Sequence, residues 1–397
     1  MKALTKIGIG FLSLAAVALG FTSCSSEDVA QNGGGLNEKD QRVLLLSVNT
    51  GNLGTRSALT DDEKQINDMT VGIYDQKGNY RVVASLASST TADKEASGTT
   101  DGTFTTTSGV KVKVVTSTLQ ENDQVYVAVN RGTAAFISKP NSPTDFSKET
   151  MDALTALTGL SSGTTIDATK FPKFGTAKLP AGDKSTFAAT VKVKNLVSKV
   201  TLEELKVDFS GPYANASFTP SEMFLLNVPN KLAFSDKGQA STSTYLNGTN
   251  IDKSGGSTGT KTAVLATATT STTALSSVSG GTASYPAKPI LYTIPNSDTS
   301  NKTILVIAGN FKKDGSGAGE TVYYPLALNE DYSTDPAGAA ADGGTKSQTL
   351  AGKNYMCKVK IKTIGASNPW VTTGPQTAVL TVDVEDWDDA TQTTTFE

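Results

Sequence analysis

The chain has 397 residues, enough for two ordinary domains with hydrophobic cores. Its 35 Lys and Arg residues nearly balance its 38 Asp and Glu residues, and this net charge of −3 argues against a nucleic-acid-binding protein. Histidine is absent, which excludes a Ser-His-Asp triad, a Cys-His dyad and histidine-ligated zinc or haem. Abundant Ser, Thr and Gly with a charged fraction of 18% are typical of an extracellular β-rich protein rather than a cytosolic helical enzyme.

The N-terminus predicts export. Lys2 and Lys6 precede an apolar run over residues 7–21, which is too short for a comfortable membrane span and is typical of a secretory signal peptide. Small residues then lead to Cys24, as in a lipoprotein cleavage box. We therefore expect a signal peptide over residues 1–23 and a lipid on Cys24, with an ordinary signal peptide and an incidental cysteine as the alternative.

A β-prone block and a turn-rich loop follow a polar tether over residues 25–41. The block comprises Val43, Leu44, Leu45, Leu46 and Val48, and it predicts a strand that is buried on both faces. The loop ends in Arg56. Arg56 is the arginine best placed for proteolytic nicking, although spacing alone favours an ordinary solvated arginine.

The next stretch predicts a β-sandwich with two helical insertions. Thr60 and Glu63 fit a capping box and predict a short helix to about residue 67. Residues 69–73 predict a half-buried strand, and residues 85–109 predict a loop. The other predicted elements are a turn over 76–79, strands over 80–83, 110–114, 123–130 and 190–194, and a helix over 147–158.

The strand pattern begins again near residue 195, where we place a domain boundary. Residues 240–284 and 331–350 are rich in Ser, Thr, Gly and Ala and predict loops. The predicted strands are 196–202, 205–209, 223–228, 290–294, 303–308, 321–328, 354–361 and 377–384. The fold class is therefore mostly β, with β-sandwich-like halves over 57–195 and 196–397.

The C-terminus carries an alternating strand and an acidic tail. Ala378, Leu380, Val382 and Val384 share one face, so this strand either completes its own sheet or is available to the sheet of another molecule. Trp387 follows. The acidic residues could bind Ca²⁺, but they lack a Gly-punctuated ligand loop, and we interpret them as solvated: Asp383, Glu385, Asp386, Asp388 and Asp389.

Cys357 is the only cysteine besides Cys24. Its neighbours form a strand-like run without a cationic cluster, which favours a structural cysteine over a reactive one.

Several segments in order resemble the FimA-type major fimbrial subunits (fimbrillins) of Bacteroidetes. Two depart from the family pattern: residues 171–175 lack the usual Pro-Met-Ser-Gly, and residues 195–200 lack the usual Arg. Besides the lipoprotein box, the segments are Thr60-x-x-Glu63-x-x-Ile66, Val71-Gly72-Ile73-Tyr74-Asp75, Phe171-Pro172-Lys173-Phe174-Gly175, Asn195-Leu196-Val197-Ser198-Lys199-Val200, Gly352-Lys353-Asn354-Tyr355 and Val382-x-Val384-x-x-Trp387.

The resemblance implies two tandem transthyretin-like β-sandwich domains and a fimbrial role. Members are exported as precursors held in the outer membrane by an N-terminal lipid, here on Cys24. An Arg-specific surface protease then cuts after an Arg that follows the first strand, which corresponds to the bond between Arg56 and Ser57. Residues 24–56 are thereby removed as a propeptide, and an extended strand of another subunit fills the groove that is left.

The resemblance also implies the partners and the parts of this exchange. Identical subunits would form a head-to-tail filament at the cell surface, with fimbrial anchor and tip subunits, and neither cofactor nor metal is expected. The plug strand would contain Val43, Leu44, Leu45, Leu46 and Val48. The donor strand would contain Ala378, Leu380, Val382, Val384 and Trp387.

Some alternatives stay open at this stage. Val382 and Val384 could instead form a permanent strand of this subunit, with the donor limited to residues after 387. Trp387 fits a core position of its own domain as well as a neighbour's groove. The alternative functions are a fimbrial tip or accessory subunit and a lipid-anchored surface protein that binds glycans.

Overall fold

Strands dominate the protein in the computed structural model, which describes residues 42–50, 60–87, 92–93, 99–105, 109–132, 140–182, 185–241, 244–257, 259–269, 273–277, 282–284, 288–330, 346–371, 374 and 377–386. The strands of the first half are β1 (Arg42–Thr50), β2 (Asp68–Tyr74), β3 (Tyr80–Ala87), β4 (Ala92–Asp93), β5 (Thr99–Thr105), β6 (Gly109–Thr116), β7 (Gln124–Val129), β8 (Thr150–Asp152), β9 (Lys173–Lys178) and β10 (Thr186–Asn195). The α-helices are α1 (Pro143–Lys148) and α2 (Ala153–Thr158).

The second half adds strands and short turns of 3-10 helix. Its strands are β11 (Ser198–Val207), β12 (Ser217–Leu226), β13 (Val228–Pro229), β14 (Lys231–Ala233), β15 (Tyr245–Leu246), β16 (Ala266–Ala268), β17 (Thr282–Ser284), β18 (Ile290–Thr293), β19 (Ile304–Lys312), β20 (Glu320–Ala327), β21 (Lys353–Ile361) and β22 (Ala378–Asp386). The 3-10 turns of the whole chain cover Ala168–Lys170, Gly211–Tyr213 and Ala263–Leu265.

The first half forms a nine-stranded sheet in the order β4-β3-β2-β7-β9-β10-β1-β6-β5. β10 joins its two parts, because residues 186–193 pair with β1 whereas Lys194 and Asn195 pair with β9. Leu44 and Leu46 of β1 share one buried cluster with Val71 and Ile73 of β2. The two ends of the sheet therefore face each other as a sandwich.

The second half packs two sheets against each other. One has the order β17-β11-β21-β22, with β18 also paired to β11, and the other has the order β16-β12-β19-β20. Leu202 of β11 and Val359 of β21 share a buried cluster with Phe218 of β12 and Ile307 of β19. The predicted fold class, mostly β with tandem sandwiches and short helical insertions, is confirmed. The change of sheet falls between β10 and β11, and the domain bounds 57–195 and 196–397 stay a prediction.

The predicted helix after Thr60 is wrong. The capping bonds between Thr60 and Glu63 are present, but the chain makes only a turn over residues 61–64 before β2 begins at Asp68. The Asn67 N–H donates to Asn130 Oδ1 over 2.7 Å, which directs the chain into the sheet instead of a second helical turn.

The predicted helix over 147–158 is confirmed only over 153–158, which form α2, and is wrong for the residues before them. Glu149 has an extended backbone and ends α1, and β8 then pairs Met151 with Leu232 of β14 before α2 begins. The predicted loop over 85–109 contains β4 and β5, and the predicted loop over 240–284 contains β15, β16 and β17. The secondary structure of these segments depends on pairing with distant strands, which the local sequence pattern does not reveal.

Burial differs from prediction in two strands. β1 was expected to be buried on both faces, but Val43, Leu45 and Ser47 are only half-buried, because side chains of the flanking strands cover that face only in part. β2 was expected to be half-buried, yet all of it except Asp68 is buried. The ring of Phe146 packs so closely on Gly72 that a Cβ there would lie 2.8 Å from it.

Candidate functional site

β1 is a central strand with a hydrogen-bonded ladder on each side. Its residues 43–50 pair in parallel with residues 186–193 of β10. Its residues 42–48 pair antiparallel with residues 110–116 of β6. In the described sheet, β6 and β10 are joined only through β1. Removal of β1 would therefore open a gap one strand wide.

One face of β1 fills the core of the first sandwich. Leu44, Leu46 and Val48 are at most 1% exposed. They alternate with half-buried residues, as a strand with one face on a core requires. The side chains that surround them on β6 and β10 are Val112, Val114, Phe187, Val191 and Val193.

The chain is fixed again at a turn shortly after β1. The Thr60 N–H donates to the Glu63 carboxylate over 2.8 Å. Glu63 is 1% exposed, and its Oε1 accepts from Lys199 Nζ at 3.4 Å and from the Tyr292 hydroxyl at 3.2 Å. Burial raises the pKa of Tyr292, which keeps its hydroxyl protonated as a donor. These bonds tie the turn to β11 and β18, so fixed elements bound the segment 51–59.

The described arginines are held within the fold. Arg42 Nη1 donates to the Leu119 carbonyl over 2.7 Å. Arg81 Nε lies 3.5 Å from Asp123 Oδ2, and Arg131 Nη2 lies 3.3 Å from Glu149 Oε2. The Arg81 and Arg131 side chains are 18% and 6% exposed. Proteases cut accessible extended segments, so these positions are poor substrates while the protein is folded.

β22 lies at the edge of its sheet and pairs with β21 alone among the described strands. Its residues Ala378, Leu380 and Val382 are at most 8% exposed and belong to the core of the second half. Cys357 of β21, in register with Val382, is fully buried, and burial raises the pKa of its thiol. The prediction of a structural cysteine is confirmed.

The predicted plug and donor residues lie in different sheets of one molecule. The plug residues are all in β1, and the donor residues up to Val384 are all in β22. Cys24, Arg56, Ser57 and Trp387 lie outside the described residues. The roles of these residues stay predictions.

Sequence reasoning missed the side chains that surround the plug strand. The walls of the β1 site come from β6 and β10. The sequence predicted strands over 110–114 and 190–194 but did not indicate that β1 lies between them. It also missed Lys199 and Tyr292 as partners of Glu63. The capping spacing was the one signal that pointed to Glu63.

Other classes of site find no support in the part of the chain that the structure describes. No group of three or more Cys, Asp or Glu side chains there could hold a metal ion. No helix there has the length and apolar character needed to span a membrane.

Comparison with known proteins finds similarity in structure. The sequence matches no family profile and no curated protein. A fimbrilin (FimA) from Porphyromonas gingivalis W83 superimposes with a TM-score of 0.57 over 88% of this chain and 99% of its own, at 16% identity. The chain has the fimbrilin fold.

Two further structures share the fimbrilin fold with this chain. A candidate cell adhesion protein from Bacteroides eggerthii covers 87% of this chain and 96% of its own at 18% identity, with a TM-score of 0.56. One from Parabacteroides distasonis covers 87% of this chain and 100% of its own at 15% identity, with a TM-score of 0.57. The resemblance inferred from the sequence is thus confirmed at the level of the fold.

Proposed function

We propose that this chain is a structural subunit of a surface fimbria that polymerises by donor-strand exchange. The precursor is exported with a lipid on Cys24 and held in the outer membrane. An arginine-specific surface protease cuts between Arg56 and Ser57 and releases the plug strand β1. The C-terminal strand of another copy then enters the gap, and anchor and tip subunits complete the filament.

The observation that carries this proposal is the position of β1. Loss of a strand at a sheet edge leaves one unpaired ladder. β1 lies between β6 and β10, so its loss leaves two unpaired ladders facing each other and uncovers an apolar core. Such a gap recognises an extended strand with apolar residues at alternate positions.

The energy of refilling the gap is large. Burying three Leu- or Val-sized side chains contributes about 1.5–3 kcal/mol for each one. Each main-chain hydrogen bond of the restored ladders adds roughly 1 kcal/mol net. Together these terms can hold subunits together without a covalent link.

β22 fits the role of donor because moving into the gap would give it a second hydrogen-bonded ladder. In its own sheet β22 pairs on one side only, whereas the gap offers a ladder on both sides. Its core residues Leu380 and Val382 would exchange one buried site for another. The exchange therefore gains a second ladder, set against the contacts that β22 gives up in the core of the second half. A donor limited to residues beyond Trp387 would lack this apolar alternation.

The cleavage step can be tested with the precursor that starts at residue 25. Treatment with an arginine-specific protease should give a product that begins at Ser57 and forms bands on an unboiled SDS gel that disappear on boiling. Arg56→Ala should remain uncut and monomeric. Arg56→Lys, which keeps the charge, should behave like Arg56→Ala because the protease requires arginine.

Each other outcome points to a different function. Normal polymerisation of uncut Arg56→Ala would contradict the proposed maturation. Correct cleavage that yields only monomers would instead favour a tip or accessory subunit. Resistance of Arg56 to the protease would favour the lipid-anchored surface protein that binds glycans.

A further inference from the structure

We propose that two rows of lysines beside β1 select the acidic C-terminal strand of another copy of this chain and fix the register in which it enters. This inference rests on the proposed function, because the plug strand must leave before a donor can enter. It concerns the charged side chains that the opened groove would recognise in addition to apolar ones. It depends on the lysines on the outward face of the β6-β1-β10 sheet.

The lysines flank the C-terminal half of β1. On β6, Lys113 is in register with Leu45, and Lys111 is in register with Ser47. On β10, Lys192 is in register with Asn49, and Lys194 follows it in the same outward row. Lys113 and Lys192 are exposed. Positive charge therefore borders the site from both neighbouring strands.

The plug strand does not neutralise this charge. Its outward residues Leu45, Ser47 and Asn49 are neutral. Among the described side chains, Lys113 and Lys192 form no ion pair. The acidic residue nearest in register is Asp101 of β5, which is opposite Lys113 on the side away from β1. With β1 removed, the groove would present an apolar floor between positively charged walls.

The donor strand has the complementary pattern. Leu380, Val382 and Val384 follow the same spacing as Leu44, Leu46 and Val48, and Asp383 and Glu385 occupy the alternate positions. If Leu380 takes the place of Leu44 in the same direction, Asp383 replaces Ser47 and Glu385 replaces Asn49. Asp383 is then in register with Lys111, and Glu385 is in register with Lys192.

Neighbouring registers fit less well. A shift of two residues one way moves Asp386 from the buried position of Thr50, at the end of β1, to that of Val48 inside the apolar cluster, where an unpaired carboxylate is more costly. A shift of two residues the other way leaves Asp383 alone beside Lys192 and moves Glu385 beyond the end of the ladder. A shift by one residue turns the apolar side chains outward.

Charge pairing across strands would favour the donor over the plug. Opposite charges at facing positions stabilise a sheet, and like charges destabilise it. Complementary charge also raises the rate of encounter, and this effect falls with ionic strength. The lysines would thus promote donor entry and disfavour return of the neutral plug strand.

A charge swap tests the inference in the full precursor after protease treatment. Lys192→Glu should slow formation of the SDS-resistant ladder roughly tenfold at low salt. Adding Glu385→Lys to Lys192→Glu should restore the wild-type rate, and Asp383→Lys should restore it less. Lys178→Glu, an equal charge change on β9 away from β1, is the matched control and should polymerise like wild type.

The outcomes separate this inference from the function on which it rests. A wild-type ladder that forms at the same rate at low and high salt, and equally fast with Lys192→Glu, would overturn charge selection and leave strand exchange intact. Better rescue by Asp383→Lys than by Glu385→Lys would overturn the register. A wild-type protein that forms no ladder after cleavage would overturn the proposed function and this inference with it. Thermal unfolding of each uncut variant is the folding control, and because Lys192 is exposed its substitution should leave the midpoint at the wild-type value.

Discussion

The carboxylate of Glu63 caps the turn at Thr60 and also accepts hydrogen bonds from residues that are distant in the sequence. It closes the turn after the segment that contains Arg56, and it binds Lys199 and Tyr292, which follow it by 136 and 229 residues. The spacing of Thr60 and Glu63 was enough to predict the capping bonds. The distant partners could not be predicted, because no local pattern specifies which strand will lie over a turn.

Glu63→Ala should destabilise the uncut protein by about 2 kcal/mol, since it removes the acceptor of three partly buried donors, the Thr60 N–H, Lys199 Nζ and the Tyr292 hydroxyl. Urea unfolding measures the change. Asp61→Ala is the control: Asp61 is 77% exposed and lies 3.4 Å from Lys64, so its loss should cost less than about 0.5 kcal/mol. Equal effects of the two substitutions would show that Glu63 does not fix this turn.

Among the strands and helices, some were predicted by the sequence pattern and others were not. The apolar block of β1 and the alternation in β7 predicted strands close to those observed, and the strands predicted over 303–308 and 354–361 correspond to β19 and β21. β5 was missed because its sequence, TTDGTFT, lacks apolar alternation and gains its order by pairing with β6. The helix predicted over 147–158 forms only over 153–158, because Met151 pairs with β14, which the sequence does not reveal.

The plug role of β1 predicts a stability effect that disappears on maturation. Leu46→Ala should destabilise the uncut precursor by about 2–4 kcal/mol because it leaves a cavity in the core. Leu45→Ala, on the half-buried face, is the matched control and should cost much less. After cleavage and polymerisation, thermal unfolding of both variants should equal that of wild type.

That equality has a simple reason: the altered residue is absent from the mature subunit. A mature Leu46→Ala filament that unfolds earlier than wild type would mean that β1 stays in place after cleavage. The plug role would then be wrong.

At the scale of the whole molecule, β1 and β22 lie in different sheets, and this arrangement sets the geometry of the proposed filament. The gap left by β1 lies in the first sandwich, whereas β22 closes a sheet of the second. A contact between unlike surfaces of identical subunits propagates head to tail instead of closing as a symmetric dimer.

The fold class of the whole molecule could be predicted from the sequence, but the order of the strands in its sheets could not. The spacing of strands and loops predicted tandem sandwiches. The parallel pairing of β1 with β10 joins segments that are far apart in the sequence, and only the packed core fixes it. The central position of β1, on which the proposed function depends, therefore came from the structure alone.

The most direct test asks whether a strand of one subunit lies beside β10 of another. Subunits with Ala188→Cys, an exposed β10 position in register with Leu45, are cleaved and mixed with cleaved subunits that carry Thr381→Cys. The native Cys357 is buried and should not compete. We predict a disulfide between the two subunits, seen as a dimer on a boiled non-reducing gel and lost on reduction. A filament that forms without a cross-link from Thr381→Cys, Asp383→Cys or Glu385→Cys would contradict exchange of β1 for the C-terminal strand.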